Sequence, residues 1–380
     1  MNLKNHIPVN EPILNGKEKE YLIKCIESGW ISSEGPLIKE FEEKFAARVG
    51  RKFAIAVCNG TAAIDAAIEA LELSEGDEVI LPSFTIISCI AQLVRSRIKP
   101  ILVDSDPITW NMDVGQIEPK INDKTKAIMI VHIYGLPVDV EPVLELARRY
   151  NLKVIEDAAE MHGQTYRGQP CGSFGDISTF SFYPNKHITT GEGGMIVTDS
   201  YVFAERCRSL RNLCFQQEKR FVHERLGWNL RMTSLQAALG LAQLERLDEF
   251  VARKREIGAL YATNLEGIEE IQIPLQRTEY ADNIYWVNGV VININTGISA
   301  AQAMQYLADK GIGTRPFFYP MHKQPVFQKL GLFEGEVYPI SEYLSQQGFY
   351  LPSGMAVTEA QISHVCDVFK GFMSTFKNQR

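Results

Sequence analysis

The sequence predicts an α/β protein: a mostly parallel central sheet covered on both faces, followed by a smaller C-terminal α+β unit. Three observations predict it. Short, continuously apolar runs alternate with stretches of helical spacing through the first half of the chain, the pattern of β-α-β units. Several of these runs end in small or polar residues, at 59–62, 83–86 and 157–160. Ligands of open parallel sheets sit at such carboxyl ends. From about residue 256 the strands and helices form a shorter, mixed set. The expected division is therefore a large domain over 1–255 and a small domain over 256–380.

Residues 16–28 predict an amphipathic helix with Tyr21, Leu22, Cys25 and Ile26 on one face. The glycine- and serine-rich stretch 29–35, which holds Trp30 and Ser32, breaks it and reads as a plain loop or a substrate-facing one. Pro36 opens the next helix at its first turn, with Leu37, Phe41 and Phe45 on one face and Gly50 as its stop. Residues 53–57 are a buried strand that runs into Asn59-Gly60-Thr61-Ala62-Ala63 and a helix carrying Ile64, Ala67, Ile68 and Leu71. A strand, a small-residue turn and a helix N-terminus make an anion site, because the first N–H groups are free there. The same residues also read as a simply capped helix, with Asn59 or Thr61 as the cap.

Strands follow at 79–81, 100–103, 127–133 and 152–155, with helices near 86–95 and after Asp139, the latter with Val140, Val143, Leu144 and Ala147 inward. Residues 195–198 predict a strand and 201–211 a helix, and 212–227 are irregular. Thr233-Ser234-Leu235-Gln236 is a capping box. It opens one long helix, expected to bridge to the second domain. In the small domain, strands are expected at 284–292 and 312–316. A helix at 300–310 should stop at Gly311, and a last helix should start at the capping box Thr358-Glu359-Ala360-Gln361. The stretch 315–325 is too proline-rich for regular structure. Its Arg315, Tyr319 and His322 suit an anionic or sugar ligand, or equally an aromatic-packed loop.

The composition bounds the partners. The 380 residues carry a net charge of −7 and no basic tract, which argues against nucleic acid and against an anionic membrane surface. No apolar run approaches the ~20 residues of a membrane span, and the N-terminus lacks a signal-peptide core. The seven cysteines are scattered without a CxxC pair, so neither a disulfide framework nor a metal site is expected. A cytoplasmic setting fits these features.

The chemistry concentrates in one stretch. Asp157 ends an apolar run, Ser181 ends the next, and Lys186 precedes the glycine turn Thr190-Gly191-Glu192-Gly193-Gly194. This layout suits pyridoxal phosphate, with a Schiff base on the lysine, a carboxylate at the ring nitrogen and a serine at the phosphate. Acids and lysines at strand ends also occur in many α/β proteins without it, so spacing leaves both readings open.

At Glu156-Asp157-Ala158-Ala159-Glu160, at Ser181 and Lys186, at 190–194, at Asn59-Gly60-Thr61 and at Asn229-Leu230-Arg231-Met232-Thr233, the sequence resembles the DegT/DnrJ/EryC1/StrS family of pyridoxal-phosphate-dependent nucleotide-sugar aminotransferases. The likeness runs nearly end to end. It implies the PLP-dependent transferase fold type I and a homodimer with shared active sites. It further implies that Lys186 forms the internal aldimine and shuttles protons, and that Asp157 keeps the ring nitrogen protonated. Ser181, Gly60, Thr61 and the Ala62 N–H would hold the phosphate, and Asn229 would reach the cofactor of the neighbouring subunit. Trp30, Ser32, His187, Arg315, Tyr319 and His322 are the implied substrate contacts.

Two positions depart from the family pattern. Glu160 stands where Gln is frequent, near the cofactor's phenolic oxygen. A carboxylate can bond there only if it is protonated or turns to another donor. Ile86 stands where an aromatic usually covers the ring, and Phe84 need not replace it. Relatives with His at the position of Lys186 dehydrate their sugar, so Lys186 implies transamination. The pattern at 189–194 and 315–322 is most similar to members acting on GDP-4-keto-6-deoxy-mannose. That implies this substrate, with glutamate as amino donor. A dTDP- or UDP-linked keto sugar, or a non-catalytic PLP-binding regulator, are the alternatives. A dinucleotide-dependent oxidoreductase would need a GxGxxG after the first strand, and residues 58–63 lack it.

Overall fold

The apolar runs become strands close to where they were predicted. In the computed structural model, which describes residues 6–216 and 218–377, the chain begins with helices α1 (Glu18–Ser28) and α2 (Pro36–Val49). Residues 1–5, the start of the N-terminus read as lacking a signal peptide, lie outside the described residues. There follow β1 (Phe53–Val57), α3 (Gly60–Ala70), β2 (Glu78–Pro82), α4 (Ser88–Arg95), β3 (Lys99–Val103), β4 (Thr125–Val131), α5 (Val140–Tyr150) and β5 (Lys153–Asp157). A small hairpin, β6 (Thr165–Tyr166) and β7 (Gln169–Pro170), leads to β8 (Ile177–Ser181), β9 (Gly194–Thr198) and α6 (Tyr201–Arg211).

Seven of these strands form one sheet in the order β1-β9-β8-β5-β4-β2-β3. All neighbours are parallel except β9, which runs antiparallel to both β1 and β8. Side chains alternate across it: Ile55, Val57 and Met129 enter one core, and Ala54, Ala56, Ile128 and Ile130 the other. Both faces are therefore dry, as the continuously apolar runs required. The register decides what meets at the edge. Ser181 pairs with Gly194 and Gly194 with Val57, while Asp157 pairs with Thr179. The carboxyl ends of β1, β5 and β8 thus open on one side.

The predicted single long helix is two. Helices α7 (Ser234–Leu244) and α8 (Leu247–Asn264) are separated at Glu245-Arg246. The Thr233 capping box is formed as expected. The expected box at Thr358 is formed too, Thr358 and Gln361 exchanging the same pair of bonds ahead of α12, and a further one at Ser299 caps α9 (Ala300–Asp309). The second sheet has the order β10-β11-β13-β12, built from β10 (Ile271–Gln272), β11 (Asn288–Ile292), β12 (Arg315–Pro316) and β13 (Gly348–Leu351). Helices α10 (Pro325–Lys329), α11 (Pro339–Gln347) and α12 (Glu359–Lys377) complete it. In this second sheet two strands escaped the sequence reading, β10 because it is two residues long and β13 because it follows α11 without a break.

The expected boundary at 255/256 falls inside α8, whose Ile257 and Tyr261 enter the small core. The N-terminal segment, expected in the large domain, runs along the small sheet. Ile7 exchanges backbone bonds with Gly311 and Gly313, and Val9 O accepts from Ser353 N. Among the described residues no helix is long and apolar enough to cross a membrane, and all seven cysteines are free thiols.

Candidate active site

The strand ends of β1, β5 and β8 surround a cavity of about 660 Å³, closed from the other side by the small sheet. Lys186 lies in the turn after β8, where its N–H bonds Tyr183 O at 2.9 Å. Its Nζ stands 3.8 Å from Glu160 Oε1 and 3.8 Å from the Trp286 ring centroid. Burial pushes the amine below its ordinary pKa, while Glu160 and Asp157 pull it back up. Asp157 is the last residue of β5. Its Oδ1 accepts from Ala159 N at 3.0 Å and its Oδ2 from Cys89 Sγ at 3.4 Å. Burial raises its pKa, against those bonds and the nearby Lys186. A cation set against this carboxyl would return it to the ionised form.

Glu160 does both things its chemistry allows. Oε2 turns to the Tyr134 N–H at 2.6 Å, and burial raises the carboxyl to about 8, against Lys186 and that N–H. Its neighbour Glu156 is the opposite case. Burial alone would raise it, but His132 and the N–H groups of Gly172 and Phe174 hold it at about 2. Glu156 also accepts from Gly175 N and Ser178 Oγ, which makes it a brace between β5 and the segment before β8. His132, Glu156 and Cys171 form a compact group, but His132 Nδ1 accepts from Val138 N and its Nε2 faces Glu156, so the cluster is closed on itself.

The anion end is built from α3 and β8. Asn59 caps the helix, taking the Ala62 N–H at 2.8 Å. This corrects the expectation that the Ala62 N–H is free for a phosphate; Gly60 and Thr61 carry the first-turn N–H groups without an intrahelical acceptor. Thr61 Oγ1 meets Ser88 Oγ at 2.8 Å. Gly60 lies against Ser181: a Cβ there would come within 2.7 Å of the serine Cβ, so only glycine lets the two meet. Ser181 is set by His162, whose Nε2 donates to its carbonyl at 2.8 Å. Burial lowers His162 to about 3, which keeps the ring neutral and a donor.

These residues fit pyridoxal phosphate: a carboxylate, a lysine and an anion-binding helix turn line one cavity. Two buried oxygens on its wall, Thr179 Oγ1 and Asn185 Oδ1, have no hydrogen-bond partner among the described residues. Ile86 lines the cavity and is half exposed, whereas Phe84 is fully buried against Tyr134, Phe317 and Phe318. The aromatic position is therefore not refilled by Phe84.

Of the expected substrate contacts, Arg315 lines the cavity. Tyr319 is exposed and outside it. His322 and His187 are corrections. His322 is buried, with Nδ1 on Ser83 Oγ at 2.7 Å and Nε2 on Glu342 at 2.9 Å, so both ring nitrogens are engaged away from the cavity. His187 is not part of the cavity lining and donates to Ile284 O at 3.1 Å. Trp30, Ser32 and Asn229 do not line the cavity of their own chain. Ser32 O accepts from both the N–H and the hydroxyl of Ser234, pinning the loop to α7, and Asn229 bridges Asn212. The sequence reading missed Trp286 and Tyr350, and it did not single out Phe318 within the stretch 315–325. All three come from the small unit, more than 90 residues beyond Lys186, with no local motif to mark them.

The description of the DegT/DnrJ/EryC1/StrS aminotransferase family matches residues 12–370. The GDP-perosamine synthase of Escherichia coli O157:H7 is 44% identical over 369 residues, 97% of this chain and 99% of its own. That of Caulobacter vibrioides is 42% identical over 359 residues, 94% of this chain and 96% of its own. Among solved structures, DesI in the presence of its TDP-sugar product superposes with a TM-score of 0.87 at 29% identity, covering 99% of this chain and 96% of that one.

Proposed function

The chain belongs to the DegT/DnrJ/EryC1/StrS aminotransferase family, and on that premise we propose that it moves an amino group from glutamate to C4 of GDP-4-keto-6-deoxy-mannose, the activity of a GDP-perosamine synthase. It is a sugar aminotransferase and its cofactor is pyridoxal 5′-phosphate. The observation that carries the nucleotide choice is 44% identity to a GDP-perosamine synthase across 97% of the chain.

When bound, the cofactor supplies an electron sink for the carbon that loses its proton and a carrier for the amino group. The chain's residues do the rest. Asp157 would hold a proton on the ring nitrogen, its buried carboxyl being ionised by the cation set against it. Gly60, Thr61 and Ser181 bind the phosphate at the N-terminus of α3. Lys186 would hold the cofactor covalently, and its free amine would take the proton from the donor's α-carbon and return one to C4 of the sugar. Burial lowers the pKa of this amine, which keeps a larger share of it neutral and able to act as base. Burial, which raises the Glu160 carboxyl to about 8, would keep it protonated at neutral pH and able to offer an O–H to the cofactor's phenolic oxygen. Arg315 meets the anionic part of the nucleotide sugar. Trp30, Ser32 and Asn229 complete the cavity of a partner subunit in a homodimer. The enzyme works in the cytoplasm.

The test mixes purified protein, pyridoxal phosphate and glutamate with GDP-, dTDP- and UDP-linked 4-keto-6-deoxy sugars and identifies products by mass and NMR. A 4-amino sugar from the GDP substrate is expected. Preference for the dTDP or UDP substrate would overturn the nucleotide assignment. Lys186→Ala should abolish turnover and the visible band that borohydride removes from the wild type; turnover in that variant would overturn the lysine's role.

A further inference from the structure

Trp286 belongs to the segment between α8 and β11, more than 90 residues from the lysine turn, yet its ring covers the reactive amine. Lys186 Nζ lies 3.8 Å from the ring centroid, well inside the reach of a cation–π contact. Among the described residues, no other Trp ring carries a Lys or Arg in this way. The ring is almost wholly buried and packs beside Tyr134 at 5.8 Å and Tyr350 at 6.3 Å.

Three bonds fix its place. The indole Nε1 donates to the carbonyl of Asn185, the residue before the lysine, at 2.8 Å. The Trp286 carbonyl accepts from Lys254 Nζ at 2.8 Å, and that ammonium also holds Ser353 O. Two residues earlier, the Ile284 carbonyl accepts from His187, the residue after the lysine, at 3.1 Å. The turn carrying Lys186 is therefore tied on both sides to the segment carrying Trp286.

We propose that Trp286 is a positioning residue for Lys186: its indole face seats the lysine's free ammonium at the cavity wall, beside Glu160, and its backbone ties hold that seat in register with the lysine turn. The inference rests on the reading of Lys186 as the reactive lysine. A face of negative potential favours the charged amine over the neutral one, so removing it should make the amine easier to deprotonate. The other titratable and charged groups around the amine are Asp157 at the end of β5, Glu160 beyond it, Lys254 on α8, the neutral imidazoles of His162 and His187, and Arg315 and Tyr350 from the small sheet. A substitution at Trp286 removes none of these groups.

The test uses the full-length chain stripped of cofactor. Trace labelling with acetic anhydride across pH, read by mass spectrometry on the Lys186 peptide, reports the amine's titration and reactivity. Trp286→Leu should shift the Lys186 midpoint down by about half a unit to one unit. At pH 7 that makes the amine roughly three to ten times more reactive. Trp286→Phe, which keeps an aromatic face, should recover most of the wild-type profile. Uniform fluorotryptophan incorporation weakens the ring's potential without changing its shape, so it tests the idea even if Trp286→Leu fails to fold. It should move the midpoint the same way by a smaller amount. An unchanged profile with fluorotryptophan, or an upward shift in Trp286→Leu, overturns the proposal. The reading of Lys186 itself would survive that result as long as Lys186→Ala still lacks the borohydride-sensitive band.

Discussion

Glu160→Gln probes the least ordinary group in the cavity. Glutamine has the same shape, and its side-chain oxygen can still accept the Tyr134 N–H that Glu160 Oε2 accepts at 2.6 Å. What changes is charge. Burial raises the Glu160 carboxyl from 4.5 to about 8. Its folded pKa lies above its unfolded one, so the folded state binds the extra proton. The site costs no stability below about pH 4.5. The cost grows as pH rises and is complete above about pH 8. At about 1.4 kcal/mol per unit, the ceiling is near 5 kcal/mol. Water entry reduces this to about 1–3 kcal/mol; the opposing pull of the Lys186 ammonium is already contained in the value of about 8. Urea unfolding of wild type and variant should therefore give nearly equal stabilities at pH 5. At pH 9 the variant should be more stable by that amount. A stability difference that does not change between pH 5 and pH 9 would refute the assignment of a protonated, buried Glu160.

Three further outcomes follow from the geometry. Gly60→Ala places a Cβ 2.7 Å from the Ser181 Cβ; cofactor affinity, measured by fluorescence titration, should fall at least about tenfold, since the phosphate turn must open to admit it. His322→Ala should cost about 2–3 kcal/mol in urea unfolding, because it strands Ser83 and Glu342 and leaves a cavity. The same variant should leave KM for the nucleotide sugar within about twofold, and a large KM change would restore His322 as a substrate contact. Arg315→Ala should raise KM for the nucleotide sugar about ten- to a hundredfold by loss of a charge-assisted contact, with kcat changed less, as read from initial rates.

Much of the site was legible in the chain order because the features that carry it are local. A strand ending at Asp157, another at Ser181, and a small-residue turn at Asn59-Gly60-Thr61 are each set by a few consecutive residues. Their convergence follows from the right-handed β-α-β rule and the parallel sheet. Lys186 was equally visible, since it stands in the turn that directly follows a strand end.

Other features depended on distance through space. His322 and His187 looked available by residue type, yet one is locked between Ser83 and Glu342 and the other beneath the Ile284 carbonyl. No spacing rule marks Trp286, Phe318 or Tyr350, which reach the cavity only because the small sheet folds over the strand ends. The antiparallel β9, the break at Glu245-Arg246 and the N-terminal segment on the small sheet are likewise decided by packing. The protonation of Glu160 belongs here too. Its residue type was readable, but its pKa is set by how completely the assembled walls exclude water. The sequence by itself determined which groups stand at the strand ends, because backbone periodicity is local. Which of them are dry, paired or facing one another was decided by the tertiary structure, because desolvation and contact depend on residues far apart in the chain.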